Sequence, residues 1–238
     1  MRLKLTLEYD GTDFHGWAAQ PGLRTVEGVV RESLAGVFPL TARLAVAGRT
    51  DTGVHAVGNV VTVDVEGGPP PERAAGALNA ALADDVSVVR AEEVPGDFHA
   101  RHSARSRSYR YRIWTRREPS PFERRRSWWQ PRPLDEARLV EAAELIVGEH
   151  DFRAFTPTET QHGVFRRNVL TAAWRRHGDT LEFEITADSF LRHMVRTLVG
   201  TMVELPPERI EPLLQGRERR EAGSTAPPWG LYLERVEY

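Results

Sequence analysis

Alternating apolar and polar positions open the chain. Leu3, Leu5, Leu7 and Tyr9 alternate with polar residues and predict a half-buried strand, and Asp10-Gly11-Thr12-Asp13 predicts the turn after it. Thr25 is placed to cap a helix whose Val26, Val29, Val30, Ser33, Leu34 and Val37 fall on one face. Strands are predicted around residues 43–47 and 59–65. Pro71 suits the first position of a helix carrying Ala74, Leu78 and Leu82, and a strand over 86–91 closes the set. The order β-α-β-β-α-β is the ferredoxin-like arrangement.

The second half repeats it. Tyr109, Tyr111 and Ile113 alternate with Arg110 and Arg112, predicting a strand with a strongly basic face. Leu139, Val140, Ala143, Ile146 and Val147 define a helix, and strands follow at 168–174 and 181–186. The clearest helical signal begins at about Phe190, where Leu191, Met194, Val195, Leu198, Val199, Met202 and Val203 keep one face. A short helix near 208–215 and a final strand near 230–236 complete the unit. The expected fold class is α+β: two ferredoxin-like units, residues 1–103 and 104–238, with antiparallel sheets side by side. Helices pack on one face, and the other is left for a ligand. The Pro- and Arg-rich stretch 116–133 reads as a loop inserted in the second unit.

Composition narrows the function. The chain has 238 residues, 40% hydrophobic and 28% charged, within the globular range. No run approaches the ~18 apolar residues of a membrane helix, and the N-terminus lacks the apolar centre of a signal peptide. A soluble, cytoplasmic protein with no membrane partner is expected. Cysteine is absent, which excludes a disulfide framework, a thiolate nucleophile, a Cys-ligated zinc site and an Fe–S cluster. The net charge of −2 hides a strong asymmetry. Residues 101–132 hold 11 arginines against only Glu118 and Glu123. So concentrated a positive stretch attracts phosphate.

Phosphate-loop, GxGxxG, HExxH and GxSxG motifs are all missing. Among the eight scattered histidines, His99 and His102 are the only close pair, too few ligands for a metal. Neither a metal nor a nucleotide cofactor is expected. The segment AGRTDTGVHA (47–56) gathers a carboxylate, a guanidinium, an imidazole and two glycines in one turn. Arg49 lies two residues from Asp51, which as a carboxylate can serve as nucleophile or base. Residue types alone equally suit a hydrogen-bonded tight turn, the commoner case. In ARHSARSRSYRYRI (100–113), Arg105, Arg107, Arg110 and Arg112 interleave with Tyr109 and Tyr111, a pattern suited to holding an RNA backbone and stacking bases. The alternative is a solvated edge strand. Along the chain the nearest acids are Asp97 and Glu118, so the charge reads as poorly neutralised. On SFLRHMVRTLVG (189–200), Arg192 and Arg196 flank the apolar stripe, pointing to a cleft or outward. AGSTAPPWGLYL (222–233) reads as a rigid loop entering a strand.

These segments, with YDGTDFHGWAAQ (9–20), TVEGVV (25–30), FHARHSARSRSYRYRI (98–113), HDFRAF (150–155) and FLRHMVR (190–196), resemble in order the motifs of the bacterial tRNA pseudouridine synthase A family. The resemblance runs over about the whole chain. It departs mildly at Ala18, where the family usually has glutamine, at His102, where an aromatic is usual, and at Arg192, where histidine is common. It implies a two-lobed α+β fold with an RNA-binding cleft, a homodimer, and conversion of uridine to pseudouridine in the anticodon stem-loop of tRNA (positions 38–40), with no cofactor or metal. Asp51 matches the family's essential aspartate and Tyr109 its active-site tyrosine, set against the target uracil. Arg49 and Arg196 match arginines near that aspartate.

A carboxylate so placed has three routes: adding to the uracil ring, attacking C1′ of the sugar, or removing the C2′ proton. The sequence does not choose among them. Two rivals share its features. A non-catalytic RNA-binding module accounts for the arginines but not for the 47–56 turn. A nucleoside or glycoside hydrolase normally needs a second carboxylate, and no convincing partner for Asp51 stands out.

Overall fold

A computed structural model of the chain describes residues 1–160 and 163–238. It is an α+β protein in two compact units, one of residues 1–105 with 232–238 and the other of residues 106–231.

The first unit runs β1 (Arg2–Tyr9), α1 (Val26–Val37), β2 (Leu40–Val46), β3 (His55–Glu66), α2 (Pro71–Asn79) and β4 (Val86–Val94). Its sheet places β1 between β4 and β3, both antiparallel to it, and β2 pairs antiparallel with β3. The alternation expected of β1 is present: Leu3, Leu5, Leu7 and Tyr9 are buried. They meet the inward positions of α1, namely Val26, Val30 and Leu34, and of α2, Ala74 and Leu78. Thr25 Oγ1 accepts the Gly28 amide at 3.3 Å, satisfying an amide that the first helical turn leaves unpaired. Pro71 opens α2, where its missing N–H costs nothing.

The second unit runs β5 (Ser106–Trp114), β6 (Trp128–Trp129), α3 (Glu136–Leu145), β7 (Gly148–Asp151), β8 (Arg166–His177), β9 (Thr180–Ala187), α4 (Met194–Glu204) and α5 (Pro207–Ile210). Strands β5, β9, β8 and β7 pair antiparallel in that order, and β6 pairs parallel with β5 at its far end. Tyr111, Ile113, Leu181, Phe183 and Ile185 from the sheet, and Leu139, Ala143, Met194, Val195 and Leu198 from the helices, are buried as the core.

One expectation changes. The helix predicted from about Phe190 begins at Met194, because His193 sits in the left-handed region (φ 61°) and the preceding residues form a turn. The last strand, β10 (Leu231–Glu237), is present as expected, and its Tyr232 and Leu233 pair parallel with His55 and Ala56 of β3. Alternation of polar and apolar residues specifies a strand but not its neighbour.

Candidate active site

Asp51 lies in the connection between β2 and β3, residues 47–54. This hairpin pairs only as far as Val46 and Val61, with Ala47 N bonded to Val60 O at 2.8 Å; from there β3 continues toward His55 without β2, still paired with β1. Val54 N donates to Asp51 O at 3.1 Å, a turn whose third position needs a positive φ, supplied by Gly53 at 78°.

The segment after β1 clamps the loop from outside. Trp17 N donates to Thr50 O at 2.9 Å and Gly53 N to Phe14 O at 3.3 Å. Gly16, at φ 83°, passes so close that a Cβ there would lie 2.9 Å from Thr50 O and 3.2 Å from the Asp51 carbonyl carbon. Asp10 accepts the Thr12 amide (3.1 Å) and hydroxyl (2.6 Å), fixing the turn over residues 11–13. Buried His55 accepts the Gly11 amide on Nδ1 at 3.0 Å and stacks on Tyr232 with ring centroids 4.6 Å apart. The same Nδ1 lies 3.1 Å from Asp10 Oδ1. The Tyr9 phenol, Thr50 hydroxyl and Asn59 amide form a buried cluster beneath the loop. The result is a half-buried carboxylate on a loop tied down on both sides, with Arg49 exposed two residues before it.

In the second unit Tyr109 is half-buried on β5, its ring edge-on to Phe190 at 4.9 Å. Strand alternation sets Arg107, Tyr109 and Tyr111 on the face covered by the helices, and Arg110 and Arg112 on the opposite one. The alternation of Tyr109 and Tyr111 with Arg110 and Arg112 is as expected, but Tyr109 is on the helix-covered face and not on the face expected to be left for a ligand. Nor is the strand's charge uncompensated. Glu182 on β9, only 7% exposed, accepts both Arg110 Nη1 and Arg112 Nε at 3.0 Å, and Arg112 also meets Glu123 at 3.2 Å. Arg107 is buried and donates to the Asp188 carbonyl at 2.9 Å. Arg105 is exposed.

Arg196 is half-buried on α4 and tied to the segment ahead of β10: its Nε donates to Ala226 O at 2.9 Å, and its own carbonyl accepts Ala226 N at 3.1 Å. Tyr111, whose phenol burial holds well above the ordinary tyrosine range, donates to Pro227 O at 2.8 Å. The segment 222–230 is thereby fastened to both α4 and β5.

The sequence reading missed Tyr9 and Asn59 as parts of the site. The available signal was a polar residue, Asn59, within the apolar run of β3: a buried amide in a strand must find partners. Among the described residues, no group of three or more His, Asp or Glu is placed to hold a metal ion, and no helix is long and apolar enough to cross a membrane.

A family model described as tRNA pseudouridine synthase matches residues 6–103 and 142–238. The chain belongs to that family. It is 43% identical to the tRNA pseudouridine synthase A of Moorella thermoacetica, over 99% of each chain. It is 44% identical to that of Thermus thermophilus, covering 100% of this chain and 96% of the relative, and 42% identical to that of Geobacillus kaustophilus, covering 100% and 94%. The chain is therefore an enzyme that isomerises uridine in tRNA. Asp51 and Arg196 lie within the two matched stretches, and Tyr109 lies between them.

Proposed function

We propose that Asp51 carries out the conversion of uridine to pseudouridine in the anticodon stem-loop of tRNA, at positions 38–40, with Tyr109 against the target uracil. The observation that carries this reading is the loop itself: one carboxylate, half-buried, on backbone clamped from both sides. The reaction breaks the C1′–N1 bond, forms C1′–C5, releases the C5 proton and protonates N1. It balances without a redox partner, co-substrate or metal. A fixed carboxylate serves any of the three routes, by bonding to the ring or to C1′, or by taking the C2′ proton. Tyr109 offers a ring to stack on the detached uracil and a hydroxyl for proton transfer. The target base must leave its stack, which costs less in a stem-loop than in a long duplex.

Arg49 and Arg196 are carried over from the family resemblance as substrate-binding residues. The RNA backbone is gripped by Arg105 and by the exposed arginines of the 116–133 stretch. Arg107, Arg110 and Arg112 already have acceptors in the fold, so a phosphate reaching them shares them with the Asp188 carbonyl or Glu182. The family resemblance adds a homodimer working in the cytoplasm.

Release of tritium from tRNA labelled at uridine C5 tests this. Asp51→Ala should lower turnover by roughly a thousandfold or more. Its affinity for tRNA should stay within about threefold of wild type, since phosphate contacts dominate binding. Turnover near the wild-type level would remove Asp51 from the chemistry.

A further inference from the structure

The loop bearing Asp51 rests on buried hydrogen bonds where apolar packing would have served stability as well. Tyr9, 3% exposed, and Asn59, fully buried, project beneath it from β1 and β3. The Tyr9 phenol oxygen is 2.8 Å from Thr50 Oγ1 and receives Asn59 Nδ2 at 3.1 Å. Asn59 Nδ2 also donates to Gly48 O at 2.9 Å, and Asn59 Oδ1 accepts Val60 N at 2.9 Å. Either hydroxyl can be the donor in the Tyr9–Thr50 bond. Burial pushes the Tyr9 pKa up to about 12, so the phenol keeps its proton through the neutral range.

Burying three polar side chains carries a desolvation cost that an apolar cluster avoids. What they supply instead is direction. A phenol, a hydroxyl and a carboxamide that satisfy one another admit only one placement of Gly48 and Thr50, whereas apolar contacts would let the loop slide. Thr50 immediately precedes Asp51, and its carbonyl is held separately by Trp17 N at 2.9 Å. Both its side chain and its backbone are therefore fixed, which sets where the next residue's carboxylate points.

We propose that the Tyr9–Thr50 hydrogen bond, supported by Asn59, is the positioning device that aims the Asp51 carboxylate at its target. It deepens, and rests on, the assignment of Asp51 as the reacting group. Tyr9, Thr50 and Asn59 are positioning residues that touch no reacting atom.

The test is steady-state tritium release from C5-labelled tRNA. Thr50→Val keeps the side chain's shape and removes the hydroxyl. It should lower kcat by about ten- to a hundredfold, the usual penalty for a displacement of about 1 Å. KM for tRNA should stay within about threefold, since the phosphate contacts are untouched. Thr50→Ser retains the hydroxyl and should recover kcat to within about threefold of wild type. Tyr9→Phe should match Thr50→Val, and the double variant should lose no more than either single one, because both remove the same bond. Melting curves confirm that each variant is folded at the assay temperature. An unchanged kcat in Thr50→Val and Tyr9→Phe overturns the proposal. So does a Thr50→Ser as slow as Thr50→Val, a double variant whose losses multiply, or a loss confined to KM. Asp51→Ala in the same assay separates the two levels. If it is inactive while Thr50→Val is fully active, only the positioning role fails; if Asp51→Ala itself turns over, the assignment beneath it fails too.

Discussion

At the scale of single residues, burial decides how Tyr9 responds to pH. The ordinary tyrosine pKa is near 10; in the folded protein burial raises that of Tyr9 to about 12, its bonds to Thr50 and Asn59 opposing the shift only in part. A group that holds its proton more tightly when folded contributes stability that is complete below the unfolded pKa and is lost as pH rises toward the folded value. For Tyr9 the loss begins near pH 10 and amounts to about 1 kcal/mol by pH 11. Urea unfolding of wild type and Tyr9→Phe at pH 8 and pH 11 measures it. The stability advantage of wild type over Tyr9→Phe should shrink by about 1 kcal/mol at the higher pH. Tyr111, also raised by burial, contributes equally to both proteins and drops out of the comparison. An advantage that is the same at both pH values would mean that the phenol ionises as readily folded as unfolded.

At the scale of elements, α4 shows how the site is held. Gly200 lies on the helix face that receives the segment ahead of β10, and a Cβ there would fall inside van der Waals contact of Ser224 O. The same approach lets Thr201 Oγ1 accept Gly223 N at 3.1 Å and lets Arg196 exchange hydrogen bonds with Ala226. Gly200→Ala should therefore push the segment off the helix and cost about 1–3 kcal/mol by overpacking. Differential scanning calorimetry should show a fall in Tm of about 2–12 °C for a chain of this size. An unchanged Tm would show that the segment yields without cost. The elements themselves were mostly legible in the sequence, because the first unit's strands and helices each bury one regular face. What periodicity records, however, is which face is apolar and nothing about partners. Leu191 continues the stripe of α4 yet sits in a turn, because His193 adopts a left-handed backbone that no apolar pattern reveals. For the same reason β10 was readable as a strand but not as a neighbour of β3. The arginines on β5 were judged against acids nearby along the chain, while their actual partner, Glu182, stands about 70 residues away and one strand over. Around the site, the 47–56 turn was visible as a cluster of chemical types. The network beneath it was not, since Tyr9 and Asn59 each look like an ordinary strand residue until the register of β1 and β3 brings them together.

At the scale of the whole molecule, the formal charge is −2, a value that by itself repels a polyanion. The chain must therefore bind tRNA through the distribution of its charge. Of the 11 arginines between residues 101 and 132, Arg107, Arg110 and Arg112 are wholly or partly buried, and the other eight are exposed: Arg101, Arg105, Arg116, Arg117, Arg124, Arg125, Arg126 and Arg132. Each phosphate neutralised by one of them releases condensed counterions, so affinity depends on salt in proportion to the number of contacts. With roughly five to eight such contacts, a plot of log K against log salt for tRNA should fall with a slope of about −4 to −7, measured from about 50 to about 300 mM KCl. Replacing Arg124, Arg125 and Arg126 together by alanine should make the slope shallower by about two to three units. It should leave the melting temperature nearly unchanged, since exposed charges add little to folding stability. A wild-type slope shallower than about −2 would mean that this stretch does not face the RNA. A triple variant that lost affinity at every salt concentration without a change in slope would point to a contact of another chemical kind. Phe122, 87% exposed on the same stretch, is the side chain to replace next in that event.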